Sequence, residues 1–256
     1  MKIGRFLRND EKPFFGILSG KSIYRLADPG PVWHEWDLSK RLGQYDINEV
    51  QLLAPCQPSK VVCLGLNYRS HARELGLEPP ENPVIFMKPS TAVIGSGQSI
   101  KYPSCSKRID YEAELGVVIG KRASKVSRKK AYDHIFGYTC VNDVTARDKQ
   151  QPDGQWTYAK SFDTFCPIGP AIETEIANPE NLPIRGLLNG KVVQEASTAD
   201  HLFSIDYIIE YVSACMTLLP GDIIITGTPS GIGPMNVSDT FTVAIDGIGN
   251  LTNLVI

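Results

Sequence analysis

Asp110-Tyr111-Glu112-Ala113-Glu114-Leu115-Gly116-Val117-Val118-Ile119-Gly120 reads as a β-strand with two unlike faces. Residues two apart on a strand point the same way, so Glu112 and Glu114 project together while Ala113, Leu115, Val117 and Ile119 turn into a core. Holding like charges within ~4 Å of each other costs on the order of 4 kcal/mol at an effective dielectric of ~20. The pair therefore calls for a neutralising partner, and a hard divalent cation is the simplest one. A third carboxylate, Asp143, closes the run Gly137-Tyr138-Thr139-Cys140-Val141-Asn142 and opens the polar segment Val144-Thr145-Ala146-Arg147-Asp148-Lys149-Gln150. Strand ends hold side chains rigidly yet leave them reachable by a ligand. If the three carboxylates converge, all-oxygen ligation selects Mg2+, Mn2+ or Ca2+ over zinc. If they do not, Glu112 and Glu114 are surface side chains of an edge strand and Asp143 is unrelated to them.

Outward from this strand, a chain of 256 residues is long enough for one large domain or for a main domain with a small appendage. Its 26 basic and 28 acidic residues leave a formal net charge of -2, with no long single-sign run. That excludes the basic footprint of a nucleic-acid binder, because Arg128-Lys129-Lys130 is too short to be more than a solvated helix face. The first residues are charged throughout, and no apolar run approaches the ~18 residues that cross a bilayer. Neither secretion nor membrane insertion is expected, and the expected compartment is cytoplasmic. Six cysteines without a Cys-x-x-Cys pair point to reduced thiols rather than a disulfide framework. The four histidines lack zinc-type spacing, so a metal site here leans on oxygen.

Residues 1–54 read as a small β-rich N-terminal subdomain, with a hairpin of strands over 14–18 and 22–26 turning at Gly20-Lys21. Two prolines in Ala54-Pro55-Cys56-Gln57-Pro58-Ser59 mark a linker to a larger domain over 60–256. Strands are expected there over 61–66, 84–88, 112–119, 137–143, 186–194, 222–226 and 240–245. Many are short and bounded by glycine or proline, which predicts a mostly β, mixed or antiparallel architecture with a few helices. The clearest helix, over 204–218, puts Ile205, Ile208, Ile209, Val212, Cys215 and Met216 on one stripe. Ser204 is its expected cap, Asp206 sits where the N-terminal dipole favours an anion, and Pro220-Gly221 is its expected end. Shorter helices are expected over 68–75 and 127–133.

Three further segments bear on chemistry. In Gly65-Leu66-Asn67-Tyr68-Arg69-Ser70-His71-Ala72-Arg73-Glu74-Leu75, a helix from Tyr68 places His71 and Glu74 one turn apart on the same face. A carboxylate beside imidazole fixes its tautomer and raises its basicity, as a water-activating base requires; a surface His–Glu pair is the plainer alternative. In Trp156-Thr157-Tyr158-Ala159-Lys160-Ser161-Phe162, Lys160 lies among aromatic and apolar neighbours and is suited to stabilising an oxyanion, unless it is an ordinary solvated lysine. Thr226-Gly227-Thr228-Pro229-Ser230-Gly231-Ile232-Gly233-Pro234 lacks the Gly-Lys-Ser/Thr ending of a P-loop. Its backbone N–H groups and the Thr228 hydroxyl can still hold a carboxylate, and a plain turn is equally consistent.

In this order, Gly65-x-Asn67-Tyr68-x-x-His71-x-x-Glu74, Phe86-Met87-Lys88-Pro89-Ser90, Glu112-x-Glu114-Leu115, Asp143-Val144-Thr145-Ala146-Arg147-Asp148, Lys160-Ser161-Phe162-Asp163 and Thr226-Gly227-Thr228-Pro229 resemble the fumarylacetoacetate hydrolase family. The resemblance runs from about Val61 to the last residue, and the first residues resemble the small N-terminal extension of bacterial members described as hydroxyheptadienedioate isomerases. It implies a mixed β-roll catalytic domain, a homodimer and a Mg2+ or Mn2+ cofactor. Carried over by position, Glu112, Glu114 and Asp143 are the metal ligands, His71 and Glu74 the water-activating dyad, and Lys160 the oxyanion stabiliser. Arg147, Gln150 and Thr228 contact substrate, and residues 75–82 form a lid that closes over it.

The activity this implies is metal-assisted hydrolysis of a carbon–carbon bond in a small 2,4-diketo acid, an acylpyruvate or a fumarylacetoacetate-like compound. The same site is suited to isomerising a 2-hydroxyhepta-2,4-diene-1,7-dioate, decarboxylating oxaloacetate or hydrating a 2-oxopent-4-enoate. The His71–Glu74 dyad tilts the choice toward hydrolysis. A family member that only binds a dicarboxylate, without catalysis, would need the carboxylates but not the dyad.

Overall fold

A computed structural model of the chain describes residues 1–9, 11–27, 33–151 and 155–256. At its centre lies the strand Ala113–Ile119, every residue of which is buried. It pairs antiparallel with Ile135–Asn142 on one side and with Ile223–Ile225 on the other. Ile223–Ile225 runs parallel to Val61–Gly65, which pairs antiparallel with Val84–Lys88 at one edge of a mixed sheet of 12 strands. A three-stranded sheet and a four-stranded sheet accompany it. Among the described residues the α-helices are Arg69–Leu75, Thr157–Lys160 and Ile205–Cys215, so the protein is mostly β with a few helices.

The alternation read from the sequence explains why this strand is central. Ala113, Leu115, Val117 and Ile119 share one core with Ile205, Ile208, Ile209 and Val212, and with Phe241 and Val243 of the four-stranded sheet. Val118 belongs to a second core with Ile3, Ile17, Trp33, Trp36 and Ile168. Burying one such side chain contributes ~1.5–3 kcal/mol, and a one-residue slip would turn each of them to the wrong face. Register is thereby fixed, and with it the face on which Glu114 stands.

The N-terminal strands continue the same sheet. Lys2–Leu7, Phe14–Ser19, Ser22–Leu26 and Arg41–Asp46 form an antiparallel meander, and Lys2–Leu7 also pairs with Cys166–Glu173. The expected hairpin is present, with Gly20 at φ 61° in its turn.

Several elements differ from the sequence reading. No single strand covers 186–194; Pro183–Leu188 and Lys191–Ser197 are antiparallel neighbours joined at Asn189-Gly190. Those two residues have φ 51° and 79°, the left-handed pair that an Asn-Gly hairpin adopts. The long helix stops at Cys215, because Met216 is extended and the chain runs on to a bridge between Leu218 and Ala123 before reaching Pro220. Ser204 precedes the helix without capping it: its hydroxyl donates to Asp206, and Glu180 Oε1 accepts the Ile205 N–H at 2.7 Å instead. The segment expected to be helical over 127–133 is a 3-10 turn, Arg128–His134.

The cysteines are free thiols, with Cys105 and Cys215 exposed. Among the described residues no helix is long and apolar enough to cross a membrane.

Candidate metal centre and active site

Strand register builds the acidic cluster. Ala113 pairs with Asn142, so the residues flanking them, Glu112 and Asp143, are neighbours across the ladder, and the Asp143 N–H donates to the Glu112 carbonyl at 2.9 Å. Glu112 sits at a break between the strands Ile109–Tyr111 and Ala113–Ile119, where its N–H is taken by the Asn142 side chain at 3.0 Å. An expected strand over 112–119 thus begins one residue later. Glu114 projects to the same place, and one carboxylate oxygen from each of Glu112, Glu114 and Asp143 lies within 4.8 Å of the others. All three side chains are buried.

Cations surround this cluster unevenly. Lys160 Nζ donates to Glu112 Oε2 at 2.8 Å and to Asp143 Oδ2 at 2.7 Å. Lys88, also buried, donates to Asp143 Oδ1 and to the Val144 carbonyl. Arg147 places Nη2 on Glu112 Oε1 at 2.6 Å, Nε on Asp110 at 2.8 Å and Nη1 on the Gln150 side chain. Burial works against an ionised Glu112, but Lys160 and then Arg147 outweigh it and hold its pKa to about 2.

Glu114 is the exception. Its carboxylate accepts the Gly227 N–H at 2.6 Å and, among the described residues, forms no ion pair. Burial, and then the charges of Asp143 and Glu112, push its pKa well above the ordinary carboxylate range. Gly227 has φ 93°, and a Cβ there would stand 2.9 Å from Asn67 Cβ, so the close backbone approach to Glu114 needs glycine. Three buried carboxyl groups, one of them short of positive charge, and no sulfur or nitrogen donor among them fit a hard divalent cation.

The helix Arg69–Leu75 carries the second constellation. His71 Nδ1 lies 2.9 Å from Glu74 Oε2, and Glu74 Oε1 accepts the Gly231 N–H at 2.9 Å. An ionised Glu74 only accepts, so Nδ1 carries the proton and Nε2 is the basic atom. His71, Glu112, Glu114, Arg147, Gln150, Lys160 and Thr228 all line one cavity of about 210 Å³. The structure therefore brings the residues singled out in the sequence into one place, with Glu74 and Asp143 bonded directly to members of that lining.

Two residues went unassigned in the sequence reading. Lys88 was legible as an oddity, a lysine closing the apolar run Val84-Ile85-Phe86-Met87. Gln194 carried no signal, yet its side chain accepts the Ala113 N–H at 3.0 Å and donates to Thr228 Oγ1 at 2.9 Å and to the Pro229 carbonyl at 3.0 Å. Thr228 in turn donates to the Ala113 carbonyl at 3.0 Å. Gln194 thus ties the Thr228 loop to the strand that bears the glutamates.

A strap over Asp200–Phe203 fixes the approach to the His71 helix. Asn67 joins the Thr226 carbonyl to the Phe203 N–H, Arg69 donates to the His201 carbonyl, and Asp200 accepts the Ser70 N–H. His201 packs on Tyr68 with ring centroids 4.6 Å apart. Desolvation holds its pKa down at about 3. The unfolded chain therefore binds this proton first: the stability contributed is complete above ~6.5, the ordinary imidazole value, and is lost as pH falls toward 3. Urea unfolding at pH 7.5 and 5 is expected to show a loss of about 2 kcal/mol from this group, absent in His201→Leu.

Residues 60–256 match the family model described as fumarylacetoacetate (FAA) hydrolase C-terminal, and residues 1–55 match the one described as Rv2993c-like, N-terminal. The oxaloacetate tautomerase YisK of Bacillus subtilis is 45% identical over 223 residues, which cover 82% of this chain and 74% of that protein. A crystal structure of 2-hydroxyhepta-2,4-diene-1,7-dioate isomerase from Mycobacterium marinum aligns with a TM-score of 0.90 at 41% identity, covering 100% of this chain and 98% of that one. Maleylpyruvate hydrolase from Sphingobium sp. SYK-6, solved in complex with manganese(II) ion and pyruvate, aligns with a TM-score of 0.83 at 29% identity, covering 100% and 99%. The relatives are enzymes of small organic acids, and this chain, with its buried acidic triad and matching fold, belongs to the fumarylacetoacetate hydrolase family.

Proposed function

We propose that the chain is a divalent-metal-dependent enzyme that hydrolyses the C3–C4 bond of a small 2,4-diketo acid. The observation that carries this reading is the single cavity lined both by His71, paired with Glu74, and by Glu112 and Glu114. A Mg2+ or Mn2+ ion held by Glu112, Glu114 and Asp143 would supply positive charge at the 2-oxo acid end of the substrate. His71 takes a proton from water at Nε2, and Glu74 steadies the imidazolium through Nδ1–H. The hydroxide attacks C4. Lys160 has three N–H donors, of which Glu112 and Asp143 occupy two, so the third serves the oxygen that becomes negative at C4. Collapse breaks C3–C4, its electron pair passes to C3 as an enolate, and protonation there yields pyruvate and a carboxylic acid. Arg147, Gln150 and Thr228 orient the substrate from the cavity wall. Residues 75–82 act as the lid, and the resemblance adds a homodimer in the cytoplasm, which light scattering checks for its stoichiometry.

The activities named for the relatives 45% and 41% identical favour a second reading, in which His71 removes a proton from C3 of a 2-oxo acid and the product is a tautomer or double-bond isomer. Isotope experiments separate the two. In H2(18)O, hydrolysis of 2,4-dioxopentanoate puts one solvent oxygen into the released acetate, whereas the second reading gives C3 deuterium exchange in D2O without cleavage. Absence of any metal-dependent turnover of 2,4-dioxopentanoate, oxaloacetate and hydroxyheptadienedioate would sink both.

A further inference from the structure

We infer that the cavity between the N-terminal strands and residues 90–98 is a binding site for a small phosphate monoester, held by Arg5. Among the described residues it shares no lining residue with the cavity of the acidic centre, and the inference stands whichever reaction runs there.

Side chains alternate along Lys2–Leu7, so Arg5 stands on the same face as Ile3, which is buried in the second core with Ala54, Cys56 and Ala92. The strand is paired on both sides at this point, with Phe15 and with Leu53, so the side chain leaves over the face of the sheet rather than past an edge. Arg5 is half-buried, and burial pushes its pKa below the ordinary arginine value, although a guanidinium stays protonated regardless. A desolvated cation is normally paired. Among the described residues, however, Arg5 makes no side-chain hydrogen bond and no ion pair. The one ionisable group acting on it is the Cys56 thiol, and burial drives that thiol's pKa far up, so it is neutral and gives no counter-charge.

The cavity beside the guanidinium has a volume of about 400 Å³, inside the roughly 300–1,000 Å³ of small-molecule sites, and among the described residues no carboxylate lines it. Ser90, Thr91 and Gln98 add polar groups. Among the described residues neither hydroxyl is engaged, and the Gln98 amide spends only its oxygen, which accepts the Gly95 N–H at 2.6 Å and leaves both Nε2 hydrogens available. Gly95 in turn packs on the backbone of Ala54, where a Cβ would stand 2.4 Å from the Ala54 nitrogen, so the two walls are clamped beside the site. Donors without an anion are the complement of an oxyanion. A guanidinium fork with hydroxyl and amide donors suits a phosphate, whose three terminal oxygens take more hydrogen bonds than the two of a carboxylate. Leu53, Pro58 and Val93 offer hydrocarbon on which the organic body of an ester can lie.

Calorimetry with phenyl phosphate, benzoate and inorganic phosphate tests this on the full chain, in Mg2+ and again in chelator, because a cation among Glu112, Glu114 and Asp143 would itself attract phosphate. Phenyl phosphate is expected to bind in both buffers, and in chelator at least about 10-fold more tightly than benzoate or inorganic phosphate. Arg5→Gln is expected to weaken its binding in chelator at least about 10-fold, with Arg5→Lys in between because an ammonium lacks the fork. Thr91→Glu, at an exposed position, supplies the missing carboxylate from the chain itself and is expected to cost at least about 10-fold as well. Phenyl phosphate is expected to raise the melting midpoint of the wild type and not that of Arg5→Gln. No saturable binding of phenyl phosphate in chelator, or equal affinity in wild type, Arg5→Gln and Thr91→Glu, overturns the inference. Benzoate bound as tightly as phenyl phosphate overturns the assignment to phosphate.

Discussion

Replacing His71 with Ala is expected to lower kcat by about 10²–10⁴-fold on 2,4-dioxopentanoate while leaving divalent-cation affinity unchanged. The imidazole is bonded to Glu74 and is no part of the acidic triad, so its removal takes away the base without touching the carboxylates. Steady-state kinetics alongside cation titration by calorimetry measure both halves. Glu74→Gln, which keeps a hydrogen-bond partner but removes the charge that steadies the imidazolium, is expected to fall between wild type and His71→Ala. A protein that merely binds dicarboxylates would keep ligand affinity in His71→Ala and have no turnover to lose. Undiminished turnover in His71→Ala would remove the dyad from the mechanism.

The second large effect is on stability. Lys160→Met is expected to cost about 3 kcal/mol in cation-free buffer, the lower end of the range for breaking a buried ion pair. The lower end applies because Glu112 keeps Arg147 and Asp143 keeps Lys88. Added Mg2+ or Mn2+ is expected to restore much of the loss, since a divalent cation among the same carboxylates replaces the missing ammonium. Urea unfolding with chelator and with cation gives the two numbers. An unchanged midpoint with chelator would show that Arg147 and Lys88 alone neutralise the cluster.

Local pattern carried much of this far. Alternation over Glu112 to Ile119 gave both the central strand and the shared face of Glu112 and Glu114, because period two is written in consecutive residues. The helical spacing of His71 and Glu74 was likewise local, and so was the stripe of Ile205, Ile208, Ile209 and Val212. What failed was set by partners distant in sequence. Glu180 displaced Ser204 as the cap of the long helix, and the bridge at Ala123 ended that helix early. Gln194 is silent in the sequence because its three bonds go to Ala113, Thr228 and Pro229, none of them near it in the chain. The Asn189-Gly190 turn is the reverse case, a plain local signal overlooked inside an apolar run.

The strand Ile223–Ile225 lies between Val61–Gly65 and Ala113–Ile119, and the loop that follows it supplies the N–H on Glu114. On a ribosome adding about 5–20 residues per second, that strand emerges roughly 5–20 s after Ala113–Ile119. Until then two halves of the sheet wait with bare edges, and Glu114 lacks even its one backbone partner. The acidic centre is thus completed only once residues 223–227 have joined the sheet, and a nascent chain halted before residue 223 presents open strand edges to chaperones.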